Sequence, residues 1–240
     1  MAESGLSATI NTLRLDVGLR HGWGRSVAAL TATQLADFDN ISKRALREFY
    51  YPAIDPGTPY YEWGFLRKAA QITLVTNTAA YDLPDDFGGT ILDDSVTYAS
   101  GVSHPSLLKV PESTIRKQQS QDSTSTGWPA YFAVRNKTHA PTTGQRWELL
   151  TYQTPGLTQN TVVLDYRYVY VPDAISNTNI YPAGGAQFSE VVTAAHLAAA
   201  ELVLDGDPAG PYRQQFVAML ATAVRNDLNQ KANQPDGGAA

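Results

Sequence analysis

The chain has 240 residues, a formal net charge of −5 and no cysteine. The lack of cysteine excludes disulfides, thiolate metal sites and cysteine nucleophiles within these residues. With 43% hydrophobic and 17% charged residues, the chain can bury a core, either as one domain with an insertion or as two small domains.

The charge distribution and the first residues bear on partners and location. The basic residues are dispersed, so we expect no tight grip on nucleic acid phosphates, although acidic walls could surround DNA without holding it. The start, MAESGLSATINTLRL, lacks the basic and apolar segments of a secretion signal, and no apolar run approaches the ~20 residues that cross a bilayer. The sequence therefore predicts a protein that is made in a cytoplasm and does not enter a membrane.

Apolar residues at spacings of three and four predict helices near both ends of the chain. Proline and glycine clusters end the second and third of these helices. The predicted helices run from Leu6 to Leu19, from Thr31 or Thr33 to Tyr51, from Phe188 to the break at Asp205–Pro211, and from Tyr212 to about Lys231.

The middle of the chain changes to the alternating pattern of β-strands, with Gly, Pro, Asn or Ser clusters between the segments. A short helix is predicted at Pro111–Gln119, and the polar run Gln118–Gly127 is predicted to be a mobile loop because it has no apolar anchor. The predicted strands are Ile72–Thr76, Thr90–Tyr98, Tyr131–Arg135, Arg146–Tyr152 and Val162–Val171.

An aromatic cluster precedes the first predicted strand. It consists of Tyr60, Tyr61, Trp63 and Phe65. Large aromatic side chains are costly to leave in water, so we expect this cluster to lie where the helical part packs on the β part.

These elements predict an α+β fold. Helices from both termini are short and marginal alone, so they are expected to pack as one bundle, with an antiparallel β domain inserted between them. The predicted domains are 1–69 together with 176–232 for the bundle, 70–175 for the β-rich insertion, and 233–240 for a flexible C-terminal tail.

The sequence offers no catalytic, metal or cofactor site. His196 has no second ligand one helical turn away, so a packed or surface histidine is favoured. The pairs Asp85-Asp86 and Asp93-Asp94 are expected to be solvated turn residues, because neighbours on a strand point to opposite faces. The segment Asp205–Gly210 resembles a calcium loop only superficially, since Phe216 stands where a glutamate ligand is needed.

A family resemblance emerges from the order of several segments. ALREFYYP is followed by YYEWGFLRKAAQITLVTNTAAYDLPDDF, GWPAYFAVRNKT, TGQRWELLTYQTP and the Ala-rich AAHLAAAELVLDGD. This series resembles the head-to-tail adaptor proteins of tailed bacteriophages, the group that includes the tail tubular protein A type, over about residues 45–227. The resemblance implies a structural protein in the neck of the virion, made in the host cytoplasm.

The resemblance also implies partners. Twelve copies are expected to form a ring beneath the portal protein, to carry DNA through a channel without sequence-specific binding, and to give the tail tube or nozzle protein a docking surface. Thirteen tyrosines suit permanent contacts of this kind. Because exposed segments without local core are candidates for contacts, we assign Tyr212, Arg213, Asn229, Gln230 and Lys231 to the portal. Gln118, Gln119, Gln121 and Trp128 are assigned to neighbouring subunits or the tail.

Two other readings of the sequence remain open. A carbohydrate- or receptor-binding β module of a phage tail would use Trp128, Trp147 and surface tyrosines to stack on sugar rings, and it predicts aromatic side chains on an exposed concave face. An enzyme such as a glycosidase would require two carboxylates that face each other across a cleft.

Overall fold

The computed structural model of the chain describes residues 3–53, 59–122, 125–142 and 144–233. The chain divides into two compact units, a helical unit of Met1–Leu66 with Pro172–Ala240 and a β unit of Arg67–Val171. The predicted α+β class is confirmed. None of the helices in the described ranges is long and apolar enough to span a membrane.

The helical unit contains four of the α-helices in the described residues. Short 3₁₀ turns at Val27–Ala29, Gly64–Leu66 and Ala186–Phe188 accompany them, and a π-helical turn at Glu201–Asp205 extends α4. The helices are α1 (Ile10–Arg20), α2 (Ala32–Tyr50), α4 (Ser189–Ala200) and α5 (Pro211–Asn233).

Local sequence sets the helix ends. Thr9 and Thr31 each accept a hydrogen bond from the backbone N–H three residues on and so satisfy a donor that the helix leaves unpaired. Phe38, Ile41 and Phe49 form an apolar stripe on α2 and are fully buried, which agrees with the spacing from which this helix was predicted. Helix α4 packs against α1, α2 and α5 and is therefore the central helix of the unit. Its many alanines allow this close approach on several sides.

The aromatic cluster lies inside the helical unit. The rings of Phe49, Trp63, Phe65 and Phe188 lie with centroids 5.0 to 6.0 Å apart. The indole Nε1 of Trp63 donates a 2.8 Å hydrogen bond to the carbonyl oxygen of Phe49. Trp63 and Phe65 therefore pack with Phe49 of α2 and with Phe188 just before α4, within the helical unit.

A buried carboxylate connects the end of α4 to the start of α5. Glu201 is 4% exposed, and its Oε2 accepts a 3.1 Å hydrogen bond from the backbone N–H of Arg213 in the first turn of α5. A negative charge at this position also complements the positive end of the helix dipole. Gly210 is required here, because a Cβ would overlap the Glu201 carboxyl group.

The β unit contains two sheets and one helix. One sheet has the order β1-β7-β3, and the other has the order β2-β6-β5-β4. All pairings are antiparallel except the two-residue pairing of β4 with β5. The elements are β1 (Arg67–Thr73), β2 (Ala80–Asp82), β3 (Phe87–Tyr98), β4 (Leu108–Lys109), α3 (Glu112–Gln121), β5 (Tyr131–Ala140), β6 (Gly144–Tyr152) and β7 (Val163–Tyr170).

Strand β7 shows the predicted alternation. Leu164, Tyr166 and Tyr168 are buried in a core shared by both sheets, whereas Arg167 on the other face is exposed. The five predicted strands all exist, but β1 begins five residues earlier than predicted, at Arg67 instead of Ile72. Strands β2 and β4 were not predicted, because two or three residues are too few to show a period of two.

The prediction of a mobile loop at Gln118–Gly127 was wrong at its start. Residues Gln118–Gln121 belong to helix α3, which continues to Gln121. Only Ile115 of α3 is fully buried, and it packs against Ala133 and Leu150 of β5 and β6. One apolar anchor on the sheet is enough to hold a polar helix whose composition alone is typical of a loop.

His196 is a buried histidine of the helical unit, as favoured from the sequence. Its Nδ1 donates a 2.8 Å hydrogen bond to the Val192 carbonyl oxygen, so in the neutral ring Nε2 accepts from the Ser42 hydroxyl at 3.1 Å. The ring also stacks on Phe38, with a centroid separation of 5.8 Å. Burial lowers the pKa of His196 to about 4.

This low pKa predicts a loss of stability in mild acid. Between pH 6.5 and about 4 the unfolded chain protonates this imidazole and the folded chain does not, so the free energy of unfolding falls by up to about 3 kcal/mol. In His196→Gln this loss should be absent, although the variant is less stable at neutral pH. Urea unfolding across this pH range measures the difference, with the exposed-site variant His139→Gln as the control. Identical pH dependence in wild type and His196→Gln would contradict the assignment.

Candidate interaction surfaces

Two of the residues assigned to the portal lie at the start of α5. The Arg213 guanidinium forms an ion pair with Glu48 of α2, and its backbone N–H is held by Glu201. The ring of Tyr212 lies 5.1 Å beneath the Arg20 guanidinium at the end of α1. Both side chains are partly buried and connect α5 to its neighbours, a structural role that the sequence did not reveal.

The other three lie at the end of α5, where a polar cluster fastens this helix to the segment before the β unit. The carboxylate of Asp227, which is 3% exposed, accepts hydrogen bonds from the Tyr61 hydroxyl at 2.6 Å and from the Gly64 N–H at 3.0 Å. Lys231 lies 3.0 Å from the same carboxylate and donates to the Glu62 carbonyl oxygen. Lys231 is therefore engaged within the helical unit.

Asn229 and Gln230 differ from Lys231 in that both are exposed. Gln230 donates a 3.2 Å hydrogen bond to the Gln187 side chain, and Asn229 faces solvent. The rise of an α-helix separates Arg213 from Asn229 by about 24 Å along α5, so the structure does not bring the five residues together in one patch.

The residues assigned to contacts with neighbouring subunits or the tail lie in the β unit. Gln118 and Gln119 are half-buried on α3, and Gln121 is exposed in its last turn. Arg116, Lys117 and Arg135 border the same polar depression, and Arg135 forms ion pairs with Glu112 and Glu148. This depression is suited to contacts with a polar protein surface.

Trp128 and Trp147 do not form a platform for sugars. His104 stacks on Trp128 with a centroid separation of 3.9 Å and an interplanar angle of 19°, and Tyr98 meets the same indole edge-on. Trp147 packs against Phe87 at 5.9 Å. Both indoles belong to the periphery of the β-unit core, which is the arrangement that disfavours the carbohydrate-binding reading.

The carboxylates that could have served catalysis are committed to ion pairs. Asp86 accepts from Lys68 and from the Tyr168 hydroxyl, and these bonds hold its pKa below the usual value despite opposing burial. Asp85 pairs with Arg146. The side chains of Asp93 and Asp94 lie outside the described residues. In the described part of the chain, no group of three or more His, Asp or Glu side chains forms a possible metal site.

Sequence reasoning did not predict a groove on the helical unit. A groove of about 850 Å³ lies between the end of α2 and the first half of α5. We call it the α2/α5 groove; its apolar lining includes Tyr51, Tyr60, Phe216, Val217, Leu220 and Val224. The sequence did contain a sign of this groove. From Phe216 to Val224, α5 carries apolar residues around most of its circumference, whereas a helix that packs on one side needs only one apolar stripe.

The described residues form an α+β protein of two units, with an apolar groove on the helical unit and a polar depression on the β unit. The sequence model of the SU10 adaptor protein family matches residues 9–237, and the chain therefore belongs to that family. It is a structural adaptor protein of a bacteriophage and a component of the virion, as the resemblance implied, and adaptors of this family interact with portal and tail proteins. No curated protein matches the chain.

The polar cluster around Asp227 generates a stability prediction. Replacing Asp227 by Ala removes the carboxylate that forms the ion pair with Lys231 and accepts hydrogen bonds from the Tyr61 hydroxyl and the Gly64 N–H, so we expect a loss of about 3 kcal/mol in the free energy of unfolding. Asn226→Ala, one residue earlier on an exposed position of α5, is the matched control and should change stability by less than about 0.5 kcal/mol. Urea unfolding midpoints of the two variants test this, and equal losses would show that the cluster contributes nothing.

Proposed function

We propose that twelve copies of this protein form a ring that docks beneath the portal, extends the DNA channel and provides the surface to which the tail attaches. The observation that carries the proposal is the match of the SU10 adaptor protein family across residues 9–237, which includes both units. In this role the protein binds and positions other proteins and catalyses no reaction.

The charge of the chain supports passage of DNA through such a ring. A net charge of −5 per copy gives twelve copies a strongly acidic character, and like charge keeps a DNA duplex from adhering to the wall. A phosphate-binding surface would instead retard the genome during ejection. The basic residues of α3 do not conflict with this role if they face the tail.

The contact assignments divide between the two units. On the helical unit, Tyr212, Arg213, Asn229, Gln230 and Lys231 are the proposed portal contacts, together with the residues after Asn233. On the β unit, the α3 face with Gln118, Gln119 and Gln121, together with Trp128, is the proposed contact for neighbouring subunits or the tail. Because Arg213 and Lys231 also hold the fold, only the exposed pair Asn229 and Gln230 can test the portal assignment cleanly.

Docking beneath the portal is tested by mixing the protein with the portal ring of the same phage and measuring the mass of the complex. We expect near-stoichiometric capture, with one copy per portal subunit at saturation, by native mass spectrometry or sedimentation. If the protein stays free at a saturating ratio, the proposed function is wrong.

The same measurement tests the portal contacts. Truncation after Asn233 leaves α5 and the Asp227 cluster intact and removes only the last seven residues, and Asn229→Ala with Gln230→Ala removes two exposed polar side chains. We expect each change to weaken capture by tenfold or more, whereas Gln145→Ala on the β unit, also exposed, should not. If the portal captures both altered proteins as well as the wild type, the portal contact lies on another surface.

A further inference from the structure

The α2/α5 groove leaves apolar surface in water that a stable assembly would cover. Helix α5 packs on α4, and its residues Phe216, Ala223 and Val224 are buried, while Val217 in the groove lining is 52% exposed. Tyr60 at the rim is 66% exposed. Burying such surface contributes roughly 25 cal/mol per Å², so an occupant with apolar side chains would gain free energy here.

The same chain carries a complementary ridge on α1. Ile10, Leu13 and Val17 face the interior, whereas Leu15 is half-exposed and Leu19 is 54% exposed. Leu15 and Leu19 are four residues apart, so they lie side by side on one face of the helix and form a short apolar ridge. Ridges of this kind pack into grooves between the residues of another helix.

Charges without an ion-pair partner lie beside both surfaces and have opposite signs in Asp16 and Arg47. The groove lining also holds the Glu48–Arg213 ion pair, and the exposed Arg20 follows Leu19 on α1. Asp16 lies on the ridge face of α1 near Glu190, and burial together with this like charge raises the pKa of its carboxyl group. At the groove, Arg47 is exposed. Within the described residues, neither Asp16 nor Arg47 has an ion-pair partner.

We infer that the α2/α5 groove of one copy receives the Leu15–Leu19 ridge of a second copy, with Arg47 of the first facing Asp16 and Glu190 of the second. This inference rests on the proposed ring. It names the surfaces through which neighbouring helical units contact each other.

The two complementary surfaces are different parts of one chain, and this fixes the symmetry of the contact. A contact that joins one surface to a different surface is head-to-tail. It closes into a ring when the rotation from one copy to the next is a whole fraction of a full turn. A two-fold dimer would instead require one surface to complement itself.

Cross-linking tests the contact directly, since the natural chain contains no cysteine. The double variant Leu19→Cys, Val217→Cys is assembled on the portal ring and treated with a short bismaleimide. Both positions are more than half exposed, so folding should be preserved and is checked by thermal unfolding. We expect a ladder of cross-linked multimers on a denaturing gel, because every copy joins two neighbours.

Variants with a single cysteine show which protein occupies the α2/α5 groove. A mixture of Leu19→Cys copies and Val217→Cys copies should give dimers and no longer species, since each copy then carries one reactive surface. Cross-linked dimers of Val217→Cys alone would indicate a two-fold contact. Linkage of Val217→Cys to a portal cysteine would indicate that the portal fills the groove. Either result overturns the inference.

A matched control places the second cysteine elsewhere. Leu157 of the β unit is 85% exposed, so Leu157→Cys with Val217→Cys offers equal reactivity and should give no ladder. Portal capture is measured first with the wild type. If capture fails, the proposed function fails; if capture succeeds and the Leu19, Val217 double variant gives no ladder, only the groove contact is wrong.

Discussion

The architecture depends on the antiparallel pairing of the first and last strands of the β unit. Strand β1 begins at Arg67, which pairs with Val169 near the end of β7, so the chain enters and leaves this unit at neighbouring positions. Closing a flexible loop of this length would cost roughly 4 kcal/mol in chain entropy, and a folded insertion with adjacent ends largely removes that cost. Helices distant in sequence can therefore pack as one unit.

Because the chain leaves and re-enters the helical unit at neighbouring positions, two clusters form around the exit segment. Trp63 and Phe65 at the exit pack with Phe49 and with Phe188, which follows the return of the chain. Asp227 near the end of α5 binds the Tyr61 hydroxyl and the Gly64 N–H in the same exit segment. The apolar cluster buries large aromatic side chains, and the polar cluster joins the end of α5 to the exit segment. A helix held in this way can present its remaining face to another protein.

Sequence reasoning succeeded where the pattern was repeated over many residues. The stripe of α2 and the alternation of β7 were predicted because four or more positions agreed with one period. For α3 it predicted a short helix at Pro111–Gln119, which exists, but it assigned Gln118–Gln121 to a loop, because the single anchor Ile115 gives no periodicity that marks the helix end. It also did not predict that Arg213 and Lys231 make contacts within the helical unit. Their partners Glu48 and Glu62 lie more than 160 positions away, and pairing at such a distance leaves no signal in a single sequence.

The central claim is that this protein occupies the neck between head and tail. Cryo-electron microscopy of phage particles assembled with and without it tests this most directly. The account predicts a separate layer of density between the portal and the tail, with two bodies per copy that fit the helical and β units, and tailless heads when the protein is missing. An unchanged neck in particles that lack the protein would contradict the account.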